Sequence, residues 1–374
     1  MHGPQIRLHP GRVLLLAALV ASLPPAAAQS YTVVNLPNLN ATYPSATAYD
    51  VNNSGQVTGS SQYDSSSSHV HAFSYASGTM TDLGVLNGTV SRGYAINDSG
   101  QVVGQSYNKA VVNVGGTWVD ITTLDPSYSS SGQANAINSS GQVVGIDSNG
   151  AMASAFLYSG GLSGTVTSLG TLYGSFYSQA NGINDAGVVV GYSYISSVDS
   201  TTHAFRYTGA TMTDLGVFGS DTNSNARAIN TAGLIVGDSG DGSSVSHAVF
   251  FDGTWHDLGT LGGTSSYAYG VNAAGTIVGS SVENTFYQTH AFVYSGSMVD
   301  LNSLVDLSGS GLLYLQTARS INDAGWIAGE AVTTSYKTAA YLLIPTAIPE
   351  PAACAACVGL LALAGAMWRR RSAL

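Results

Sequence analysis

The chain has 374 residues, of which 11 are basic and 21 acidic, giving a formal net charge of −10 at pH 7. That balance argues against a nucleic-acid partner and against binding to anionic membrane surfaces. Charged residues are only 9% of the chain, but 44% hydrophobic residues exclude a disordered tail.

Residues 1–28 read as a secretory signal peptide. Arg7 and Arg12 precede the apolar run Val13 to Val20, and Ala26-Ala27-Ala28 offers small residues for cleavage before Gln29. A first buried helix fits less well, because Pro24-Pro25 breaks it and Ser/Thr/Gly-rich sequence follows at once.

From residue 29 to 345 one pattern sets the organisation. The stretch Ile96-Asn97-Asp98-Ser99-Gly100-Gln101-Val102-Val103-Gly104 has seven versions, with asparagines at Asn52, Asn97, Asn138, Asn184, Asn230, Asn272 and Asn322. Glycines follow three and seven residues after each, and the copies lie 41 to 50 residues apart. Such a period fits a propeller blade. Asn at the first position, a polar pair and then Gly match a type I turn closed at positive φ, so each copy reads as a tight hairpin. Asp50-Val51-Asn52-Asn53-Ser54-Gly55 partly resembles a calcium loop, but the other copies lack the leading Asp and none has the distal Glu.

Between these turns lies a second hairpin, seen in the stretch from His71 to Gly84, with counterparts beginning at Lys109, Ser154, His203, His247, His290 and Ala339. Each repeat then holds four strands, A to D. The last repeat lacks a D strand, while Tyr31 to Leu36 reads as a D strand without its partners. The expected fold is all-β: a seven-bladed β-propeller with four-stranded blades, closed by the N-terminal strand completing the last one.

The combination of His-Ala-Phe (residues 71–73, 203–205 and 290–292), Thr-Asp-Leu-Gly and Ile-Asn-Asp-x-Gly-x-Val-Val-Gly resembles the bacterial extracellular HAF-repeat family. The likeness weakens at His247 and fails at Lys109 and Ser154. It implies a secreted or surface protein of unassigned biochemistry, with no catalytic residues to transfer.

Folding the C–D hairpin about Ser77-Gly78 sets His71 directly across from Asp82. The same registration pairs His203 with Asp214, His247 with Asp257, His290 with Asp300, and Lys109 with Asp120. Where the acid is absent, at Ser168 or Asn35, the cation is absent too, at Ser154 or Ala339. This coupling is what structural cross-strand pairs predict. A metal site would need ligands converging on one point, so neither a metal nor a cofactor is expected.

In such a ring the A–B and C–D turns share one face, and the B–C and D–A loops share the other. The second set varies widely in length and is the expected binding side. Tyr63, Tyr107, Tyr192, Tyr194, Tyr287 and Tyr336 fall there, joined by Asp238 and Glu330, which directly follow the second glycine of their repeats. Phenol rings offer sugars an apolar platform with a polar edge, so a polysaccharide is the expected ligand of a non-catalytic protein. The alternative is a glycan-active hydrolase or lyase using Asp238 and Glu330 as paired carboxylates. No Ser-His-Asp, Walker or zinc signature appears.

Residues 346–374 close the chain with Pro349-Glu350-Pro351, the apolar run Ala352 to Trp368, and Arg369-Arg370-Arg371. Three elements in this order resemble the PEP-CTERM sorting signal. The resemblance implies transient residence in the inner membrane, recognition by an exosortase-type enzyme, and delivery to the surface or extracellular matrix of a Gram-negative bacterium. A permanent single-span anchor is the alternative. Cys354 and Cys357 both lie in the apolar run, so the exported body holds no cysteine and depends on burial and strand pairing. That body keeps six basic and 20 acidic residues, a net charge of −14.

Overall fold

The computed structural model describes residues 30–346, apart from 122–130, 149–151, 162–163, 199, 243–244 and 284–287. The signal peptide and the sorting segment from Pro349 to Arg371 therefore lie outside the described residues, as does Tyr287. Among the described residues no helix is long and apolar enough to cross a membrane.

Short runs alternating small or β-branched apolar residues with polar ones, punctuated by glycine turns, suit strands buried between neighbours. They form seven four-stranded antiparallel sheets, the blades of a seven-bladed β-propeller spanning Tyr31–Pro345. In the first blade the A to D strands are Ala46–Val51, Val57–Gln62, Val70–Ala76 and Thr79–Asp82. In the seventh they are Leu312–Ile321, Ile327–Thr333, Thr338–Pro345 and, from the other end of the chain, Tyr31–Asn35. That last pair runs from Tyr31 opposite Pro345 to Asn35 opposite Tyr341, so ladder hydrogen bonds close the ring.

The repeated asparagines do more than shape a turn. Each Oδ1 accepts from the backbone N–H four residues on, at 2.8–3.0 Å. Each Nδ2 meanwhile donates to the backbone carbonyl of the equivalent asparagine in the next blade, at 2.9–3.2 Å. The last link, from Asn322 to the Asn52 carbonyl, completes a circle of seven bonds. All seven side chains are buried, so each bond also spares a carbonyl from burial without a donor.

Every A strand is also bulged at the same place, three residues before its asparagine, as at Tyr49 between Ala48 and Asp50. The glycine seven residues after the asparagine is the consequence. A Cβ on Gly104 would lie 1.8 Å from the Arg92 carbonyl oxygen, and at Gly59 it would strike both the Thr47 carbonyl and the Phe73 ring. A bulge pushes the A-strand backbone onto its partner, and only glycine leaves room.

Four of the seven blade junctions are made by a buried serine. Ser91 accepts from the Ala72 N–H at 2.8 Å and donates to the Gly84 carbonyl at 2.5 Å. Ser178, Ser224 and Ser266 repeat the arrangement. The alanine of each C strand and the glycine at or just past the end of each D strand are thereby tied to the A strand of the next blade at these four junctions.

Replacing Asn184 by Asp should destabilise the propeller by about 1–3 kcal/mol in urea unfolding, since it removes the donor and brings a carboxylate against the Asn230 carbonyl. Equal stability of the Asp variant and the native protein would remove the ring from the list of stabilising features.

Candidate functional site

The outer rim of the loop face carries the histidine–aspartate pairs. His71 Nδ1 lies 2.9 Å from Asp82, His203 2.9 Å from Asp214, His247 2.9 Å from Asp257, and His290 2.8 Å from Asp300. They are not directly across the hairpin. Ser77 and Gly78, both at positive φ, form a two-residue turn that sets Phe73 opposite Asp82, and the imidazole reaches the carboxylate along the diagonal. In the second blade the register sets Val111 opposite Asp120, so Lys109 and Asp120 hold the same diagonal positions. Each histidine-paired aspartate also accepts a backbone N–H two residues on, as Asp82 does from Gly84 at 2.7 Å.

Hydrogen bonding and burial oppose each other at His290, and hydrogen bonding prevails. The Asp300 carboxylate, accepting from Nδ1, holds its pKa above the ordinary value. Burial pushes Asp300 up, but hydrogen bonds from His290 and Asn302 outweigh it and leave its pKa lowered.

The tyrosines divide into two groups. Tyr63 stacks on His71, ring centroids 3.7 Å apart, and so packs on an ion pair. Tyr192 and Tyr194 both stack on Tyr177, at 5.7 and 4.9 Å, with Phe176 edge-on to Tyr194 at 5.1 Å. Burial pushes the Tyr192 hydroxyl pKa up. Tyr192 also lines a cavity of about 220 Å³ with Tyr267, Asn223, Asn225, Asp238 and Ser246.

Tyr107, Tyr173 and Tyr336 are different, being 62%, 74% and 80% exposed. All three have positive φ, between 53° and 58°. Tyr107 and Tyr336 sit at the tips of B–C loops and Tyr173 in a D–A loop, so they share a face. A bulky side chain at positive φ is strained; of the three, Tyr173 donates its hydroxyl to Asp214 at 2.9 Å and the Tyr107 ring lies against Gly88.

Asp238 and Glu330 do occupy equivalent positions, but each is engaged within its own blade. Arg227 Nε donates to Asp238, and Arg319 Nε to Glu330, both at 2.5 Å. Both arginines are bulged A-strand residues, and they were invisible to motif reading. The full set is Tyr49, Tyr94, Asn135, Asn181, Arg227, Tyr269 and Arg319, and all of these line a chamber on the propeller axis. A signal existed: in every copy the third residue before the asparagine is large and polar or aromatic, and the residue before it is Ala or Gly.

Among the described residues no group of three or more metal-ligating side chains is placed to hold an ion. No family model matches the chain, and no curated protein does. Among solved structures it is similar to a candidate TolB from Agrobacterium tumefaciens, with 9% identity and a TM-score of 0.45 over 72% of this chain and 95% of that one.

The His290–Asp300 pair should contribute most between about pH 4 and 6.5. Its raised imidazole pKa means that stability is lost as pH rises through that value, and the lowered carboxyl pKa means loss as pH falls through it. A double-mutant cycle with His290→Ala and Asp300→Ala should give a coupling of about 0.5–1 kcal/mol at pH 5.5, shrinking by pH 8.5. Strict additivity at pH 5.5 would contradict the pairing.

Proposed function

We propose that this is an exported protein that binds extracellular polysaccharide through its loop face without turning it over. The observation that carries the reading is the trio Tyr107, Tyr173 and Tyr336, exposed, backbone-strained and on one face. Backbone strain at exposed aromatic side chains concentrates at ligand contacts, and it recurs here at three tyrosines of one face. A phenol ring suits the apolar face of a sugar while its hydroxyl meets the ring substituents. The cavity beside Tyr192 adds amide, hydroxyl and carboxylate partners within the same face. Turnover is disfavoured because Asp238 and Glu330, the acids a glycosidase would use, are each held by an arginine.

The address rests on the two ends of the sequence. Residues 1–28 direct export, and Pro349-Glu350-Pro351, the apolar run and Arg369-Arg370-Arg371 direct an exosortase-type enzyme to release the body at the cell surface or into the matrix. The likeness of the repeats to the HAF family is consistent with that destination.

The purified protein should deplete from solution onto insoluble polysaccharide with no release of reducing ends. Changing Tyr107, Tyr173 and Tyr336 together to Ala should weaken retention at least about tenfold with no loss of Tm. New reducing ends would favour the hydrolase or lyase, and no depletion onto any matrix polysaccharide would end the proposal. In the native host, replacing Pro349, Glu350 and Pro351 by Ala should leave an unprocessed, membrane-held precursor; normal release would remove the sorting assignment.

A further inference from the structure

The turn face, with its short repetitive loops, is the side that loop variability does not single out. It nevertheless holds the larger cavity, about 340 Å³ on the axis, which runs from the bulged A-strand residues to the asparagine turns. That size falls in the range of small-molecule sites.

Its floor is a run of guanidinium and phenol groups. Arg227 and Arg319 both lie against the Tyr269 ring, at 5.1 and 5.4 Å from its centroid, and Arg319 is also 5.4 Å from that of Tyr49. Each arginine uses Nε on its carboxylate. Among the described residues, their Nη groups and the Tyr49 and Tyr269 hydroxyls have no hydrogen-bond partner in the protein, so the chamber presents several donors and acceptors on aromatic platforms.

Charge decides what those groups can take. The rim carries Asp98, Asp185 and Asp323, each accepting a backbone N–H from the adjacent blade, and Asp50 also lines the chamber, its carboxylate accepting from Val51, Ile96 and Ser320. On the other side of the arginines stand Asp238 and Glu330. An anion is therefore repelled along either approach, and a cation that passes the rim meets two guanidinium groups. An uncharged polyhydroxyl group incurs neither cost. It can accept from Nη, exchange hydrogen bonds with phenol hydroxyls and lie against a ring.

We propose that the axial chamber is a second binding site, for an uncharged saccharide unit entering from the turn face. It is separate from the loop-face tyrosines and does not depend on their binding polysaccharide.

The test is calorimetric titration of the full-length protein with three neutral trisaccharides (maltotriose, cellotriose and mannotriose), with trigalacturonate, and with the cationic glucosamine trimer. At least one neutral trisaccharide should bind saturably, and both charged probes should bind less tightly. Tyr49→Phe with Tyr269→Phe, which keeps the rings and removes only the hydroxyls, should weaken that binding by about tenfold. The loop-face variant with Ala at positions 107, 173 and 336 should retain it. The proposal is overturned if no neutral probe binds, if trigalacturonate or the glucosamine trimer binds more tightly, if the double Phe variant is unaffected, or if the loop-face variant alone abolishes binding. Failure of the loop-face reading would instead appear as lost depletion onto insoluble polysaccharide with trisaccharide binding intact.

Discussion

Seven turns converge on one axis, and what lets them converge is a side chain that accepts from its own turn while donating to the next. Asparagine alone combines these at that reach. Aspartate has no donor, serine is too short, and glutamine carries its amide one methylene too far to close the local turn. Each bond taken singly is modest, about 0.5–1.5 kcal/mol net. The circle matters because its members satisfy one another: Asn52 donates to Asn97 and is itself the acceptor for Asn322. Removing one amide leaves a buried carbonyl without its partner, and that desolvation cost exceeds the bond's average worth.

The bulge follows from the same convergence. An A strand that ends in a turn packed against six others must bend sharply just before it, and one extra residue supplies the bend. The extra residue leaves the ladder, so its side chain faces the axis without having to fit between blades. That explains why the position tolerates Tyr, Asn and Arg in different copies while its preceding neighbour remains Ala or Gly. The repeat thus keeps the architecture constant and lets the axis be written blade by blade.

Much of this was legible beforehand, and the reason is locality. Strand, turn and period are set by residues within one repeat, so the seven blades and the closing role of Tyr31–Asn35 follow from counting. The asparagine circle was not legible, because the same residue already had a sufficient local role in its turn and its second bond reaches 41 to 50 residues along the chain, or 270 at the closure from Asn322 to Asn52. The diagonal between His71 and Asp82 was missed for a smaller reason: a two-residue turn centred on Ser77 and Gly78 pairs residues 76 and 79, which carries Phe73 to Asp82. The axial arginines were passed over because no catalytic or metal motif contains them; what marked them was a contrast of size within each repeat.

That leaves the question of why charge is placed on the axis at all. The propeller has six basic residues against 20 acidic ones, yet two of the six, Arg227 and Arg319, line the axial chamber. An ion pair that is partly buried gains little net stability, because desolvation offsets most of the attraction. Stability is therefore a weak reason for putting a third of a scarce resource there. The geometry gives a better one. Arg227 and Arg319 anchor on Asp238 and Glu330 and lie against Tyr269 from neighbouring blades. Their placement offsets part of the negative charge around the axis and holds the aromatic rings in orientation, both of which favour directional recognition of an uncharged ligand.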